Sequence, residues 1–111
     1  MMTLLQFMGG SDFKATGSDQ TLGLGQGRWI YYRPSAAISL TLLDPTKDVF
    51  KNGGGPYYYI FNVTTGGHVI TVRDYDASAI ASINQDEVGV IGIRPNGSGR
   101  KWFGVVFDRL S

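Results

Sequence analysis

A chain of 111 residues is long enough for one domain that buries about two-thirds of its unfolded surface, so a core needs no covalent staple. Ten Lys and Arg against nine Asp and Glu leave a formal charge of +1, with no basic run longer than Arg100-Lys101. That argues against holding nucleic acid by its phosphates. The absence of cysteine excludes disulfides, thiolate metal sites and a cysteine nucleophile.

In chain order, Met1 to Met8 is apolar but too short to cross a bilayer, and it lacks the basic start and small-residue cleavage site of a secretory signal. A soluble protein made in the cytoplasm, without a membrane partner, is expected. The segment is either a first strand or terminus, or a docking arm over residues 1–10 in which Leu4, Leu5, Phe7 and Met8 bind a neighbour. From Phe13 to Gly27 the composition predicts mostly loop with one short strand. The glycines 23, 25 and 27 do not form a phosphate loop, because no Lys-Ser or Lys-Thr and no helical pattern follow them.

Arg28 to Arg33 is strand-like and is stopped at Pro34, which has no amide hydrogen for a ladder. Ala36 to Leu43 alternates, with Ile38, Leu40 and Leu42 on one face, and predicts a strand buried on one side. Asp44-Pro45 could open a single helical turn; no longer amphipathic helix can be drawn. Tyr57 to Val63 and His68 to Asp74, joined by a short Gly-containing loop, read as a hairpin. Ala79 to Ile83, Glu87 to Arg94 and Lys101 to Phe107 read as further strands. Gly89, Gly92 and Gly104 inside them suggest bulges or close backbone approach. The spacing of turns predicts one all-β domain over 1–111, an antiparallel β-sandwich or small β-barrel with Gly-rich turns and little or no helix.

Catalytic chemistry is poorly represented. His68 is the sole histidine, and a structural or surface role is preferred to that of a general base. Asp74, Asp76, Asp86 and Glu87 do not follow the spacing of a calcium loop and read as turn carboxylates. No enzyme activity, cofactor or metal is expected. The aromatic residues offer a different chemistry: Trp29, Tyr31 and Tyr58 are candidates for stacking against a sugar or base. Because successive strand residues point to opposite faces, Tyr57, Tyr58 and Tyr59 cannot all line one platform. Charged residues make up only 17% of the chain and aromatics 13%, which predicts that a partner covers part of the surface.

The series Tyr59-Ile60-Phe61-Asn62, His68 to Asp74, Val88-Gly89-Val90-Ile91-Gly92-Ile93 and Lys101-Trp102 resembles small β-structured accessory proteins of tailed-phage virions. The resemblance covers the C-terminal half of the chain; Met1 to Leu43 carries no motif of that kind. It implies a non-enzymatic decoration or cement protein in the virion, bound to the outside of the capsid as a homo-oligomer. Its partner would be the major capsid protein or another virion protein. A tail or fibre component, or a carbohydrate-binding β-module, are the alternatives.

Overall fold

The computed structural model describes residues 11–22, 29–45, 55–96 and 99–108. Nine strands run through them: β1 (Ser11–Thr16), β2 (Gln20–Leu22), β3 (Trp29–Pro34), β4 (Ile38–Leu42), β5 (Gly55–Asn62), β6 (Ile70–Arg73), β7 (Ala79–Ile83), β8 (Glu87–Asn96) and β9 (Gly99–Asp108). They form a five-stranded sheet in the order β1-β3-β5-β8-β9 and a four-stranded sheet in the order β2-β4-β6-β7.

The chain alternates between the sheets through its first six strands. β1, β3 and β5 lie side by side in parallel, as do β2, β4 and β6. This part is a flattened coil of three passes. Ser11 stands beside Trp29, and Trp29 beside Tyr59, so the first pass takes 18 residues (11 to 29) and the second 30 (29 to 59). The remainder is antiparallel: β7 returns along β6, and the β8–β9 hairpin continues the larger sheet from β5.

The fold is all-β, and no helix occurs among the described residues, as the sequence predicts. The expected antiparallel arrangement is corrected: both sheets are mixed, and they do not close into a barrel. The segment expected as a hairpin is a corner. β5 and β6 belong to different sheets, and residues 63–69 carry the chain from one to the other. Phe13 to Gly27, expected as mostly loop with one short strand, contains most of β1 and all of β2.

The corner is fixed by two buried polar side chains. Asn62 is fully buried; its amide donates to the carbonyls of His68 (2.8 Å) and Ile83 (2.9 Å), and its oxygen accepts from the Thr64 amide (3.1 Å). The Thr64 hydroxyl donates to the Pro34 carbonyl (3.1 Å) and accepts from the Gly66 amide (3.2 Å). These bonds tie β3, β5 and β7 to the loop that leaves β5. They also satisfy groups whose burial without partners would cost about 1–3 kcal/mol each.

One core lies between the sheets. Ile30 and Ile60 of the larger sheet face Ile38, Leu40, Leu42, Ile70 and Val72 of the smaller, and Ile83, Ile91, Ile93 and Trp102 complete the far end. The Trp102 indole donates to the Leu43 carbonyl across the sheets (2.7 Å), so its polar atom is satisfied where its ring is buried. Two strand glycines make room for this packing. A Cβ on Gly89 would stand 2.5 Å from Cδ1 of Ile83, and one on Gly104 would stand 3.0 Å from Cβ of Ala81. The close approach expected of such glycines is therefore present at both positions.

Candidate functional site: the outer face of the five-stranded sheet

Alternation sends every second residue of the larger sheet away from the core, and in two neighbouring rows those residues are apolar or aromatic, while Arg33 and Lys101 lie on the same face outside these rows. Strand register places Phe13, Tyr31, Phe61, Val88 and Phe107 in one row across all five strands. The adjacent row carries Trp29, Tyr59, Val90 and Val105 from β3 to β9. Phe13 is 60% exposed and Phe107 54%, at the two sheet edges, and the side chains between them are half-buried. No charged side chain interrupts either row. The ordinary pattern for a sheet with one solvated face is apolar inside and polar outside, so this face departs from what water alone would favour.

The aromatic half of the face is a ladder. Trp29 stacks on Tyr59 with ring centroids 4.5 Å apart and planes 10° from parallel, and Tyr31 stacks on Phe61 at 4.7 Å and 18°. These separations match the spacing of neighbouring strands, about 4.8 Å. The rings therefore turn their faces to one another and stand upright on the sheet. At the β1 edge the Arg33 guanidinium sits 5.5 Å from the centre of the Phe13 ring, where the ring's negative face attracts it. The other half of the face carries Val88 and Val90 on β8 and, on β9, Val105 between Phe103 and Phe107.

Of the aromatic residues singled out from sequence, Trp29 and Tyr31 are brought together in this ladder. Tyr58 is not: it is 4% exposed, points into the core, and has its ring 6.1 Å from that of Trp102. A stacking role for Tyr58 is thereby corrected, because its position in β5 puts it on the opposite face from Tyr59. Leu4, Leu5, Phe7 and Met8 lie outside the described residues. The face also contains Tyr59, one of the trio weighed from the sequence, and Phe13, Phe61, Val88, Val90, Val105 and Phe107, which sequence reasoning did not single out. Tyr58-Tyr59-Ile60-Phe61, apolar on both alternating faces, was the available signal.

His68 borders an open cleft of about 500 Å³ at the corner, with Arg33, Ser35 and Thr65, and among the described residues no carboxylate lines it. The acidic side chains considered as calcium ligands cap turns instead. Asp74 accepts from the Tyr75 amide (2.7 Å), Asp76 from the Ser78 amide (3.0 Å) and Glu87 from the Asn84 amide (2.7 Å). The Ser78 hydrogen bond holds the Asp76 carboxyl below its ordinary 3.8. Among the described residues no three His, Asp or Glu side chains converge as a metal site would require.

No family model, curated protein or solved structure matches this chain.

Proposed function

We propose that this chain is a non-enzymatic structural protein of a tailed-phage virion, which acts by assembly and decorates the outside of the capsid so as to stabilise the shell. The observation that carries the assembly role is the outer face of the five-stranded sheet, where one apolar row runs from edge to edge and a second from β3 to β9, with no charged side chain in either row. Covering apolar surface releases about 25 cal/mol for each Å² removed from water, so a face of this kind favours a protein surface over solvent. The virion as the place of assembly rests on the resemblance of the C-terminal half. On a symmetric shell, many modest contacts hold more firmly than any one of them alone.

Co-sedimentation of the purified chain with assembled shells tests this role. The expected result is binding that saturates at a fixed multiple of the capsomer number, and that the single change Phe61→Asp weakens by at least tenfold. Failure to bind shells would overturn capsid decoration, and binding to tails or fibres in its place would move the protein there. A carbohydrate-binding role for Trp29 and Tyr31 is less well supported, because the ladder turns ring faces toward one another and leaves mainly edges outward, whereas sugars stack on faces. Saturable glycan retention that is lost in Trp29→Ala would establish it instead.

A further inference from the structure

The outer face has a step in it. On β3 and β5 stand the upright rings of Trp29, Tyr31, Tyr59 and Phe61, while β8 contributes only Val88 and Val90 in the same two rows. A surface that is high on one side of a line and low on the other fits a copy of itself turned by a two-fold axis lying along that line. Here the line is the seam between β5 and β8.

We propose that a second copy of this chain covers the face, forming a two-fold dimer whose axis runs along the β5–β8 seam; this rests on reading the face as an interface, and in the dimer the shell is met by the remaining surfaces, so that Phe61→Asp weakens shell binding by breaking the dimer. The rotation preserves position along the strands and exchanges β5 with β8 and β3 with β9. Tyr59 and Phe61 of one copy then lie over Val90 and Val88 of the other, and Trp29 and Tyr31 lie over Val105 and Phe107. Each ring edge meets a lower aliphatic surface except at Phe107, and the isologous contact closes on four strands, with Phe13 on β1 outside it. Sheets packed face to face in this way lie about 10 Å apart with strands within about 30° of alignment.

Area supports the same occupant. Four overlapping strands about 4.8 Å apart and roughly 20 Å long project about 400 Å² on each copy. With the relief of the side chains, the pair removes about 1,000 Å² from water, the lower bound of a specific interface. A dimer of this size dissociates on dilution, and the uncharged rows place no like charges opposite each other.

The absence of native cysteine makes the axis directly testable. Trp29→Cys and Val105→Cys are made as two separate variants, and each is treated alone and in an equal mixture with a short bifunctional thiol reagent, because backbones about 10 Å apart are beyond the reach of a direct disulfide. The expected result is a cross-linked dimer in the mixture at a yield several-fold above either variant alone. Equal cross-linking of Trp29→Cys with itself would overturn the axis, and a wild-type monomer across the concentration range in sedimentation equilibrium would overturn the dimer. Phe107→Asp, at an exposed edge position, is expected to shift wild-type dimer to monomer while keeping the same far-UV spectrum and a cooperative melt. The failures separate: a monomeric chain that still binds shells, and loses them on Phe61→Asp, removes the dimer and leaves the assembly role. A dimer that binds no virion part removes the virion role and leaves the dimer.

Discussion

Asn62 shows how much one polar side chain can decide. It sits at the end of a strand whose other inward positions are apolar, and its amide satisfies two carbonyls and one N–H that the change of sheet leaves inside. Asn62→Ala removes all three bonds, and at about 1 kcal/mol each the expected loss of stability is about 3 kcal/mol in urea unfolding. Asn62→Asp keeps the acceptor for Thr64 but faces two carbonyls with a carboxylate, so at neutral pH it is expected to be the more damaging. A loss within experimental error for both would mean that the corner is held by the flanking strands alone. The sequence showed Asn62 only as the end of a β-rich run. Nothing in its neighbours distinguishes a strand-ending asparagine exposed in a hairpin turn from one buried at a corner between sheets.

At the scale of the element, position in the sheet sets local stability. β5 and β8 each have neighbours on both sides, one face on the core and one against the outer rows, whereas β2 is a three-residue strand at an edge with β4 as its single neighbour. Amide hydrogen exchange is expected to be slowest in β5 and β8, at the global unfolding free energy, and faster by at least a hundredfold in β2. Equal protection across both sheets would indicate that the coil opens only as a whole. Strands were the most legible level in the sequence. Ile38 to Leu42 has the burial alternation that its pattern predicts, and Ala79 to Ile83 is a strand with the predicted bounds. Their partners were not legible, since alternation gives a strand its buried face and says nothing about which strand lies next to it.

The whole molecule is dominated by pairings between distant residues. Each parallel neighbour in the coil is separated by a complete pass through the other sheet, so closure of a long loop precedes any ladder bond. Refolding is therefore expected in milliseconds to seconds, followed by the fluorescence of Trp102 as it enters the core; a microsecond main phase would contradict this topology. At the same scale the outer face gains its meaning. Phe13, Tyr31, Phe61, Val88 and Phe107 are spread over almost the whole described chain, and only lateral stacking of five strands makes them one row.

By itself the sequence determined that this is an all-β chain and that charged residues make up only 17% of it. Composition and two-residue periodicity are local, and they report what each strand buries. The tertiary structure alone decided that the first six strands wind as a coil and that Trp29 and Tyr31 join Tyr59 and Phe61 while Tyr58 turns inward. It also decided that two uncharged rows lie side by side on one face of the larger sheet. Those outcomes depend on strand order and register, which backbone hydrogen bonds permit in many combinations. Here the buried corner at Asn62 and Thr64 and the close approach at Gly89 and Gly104 help to select one of them.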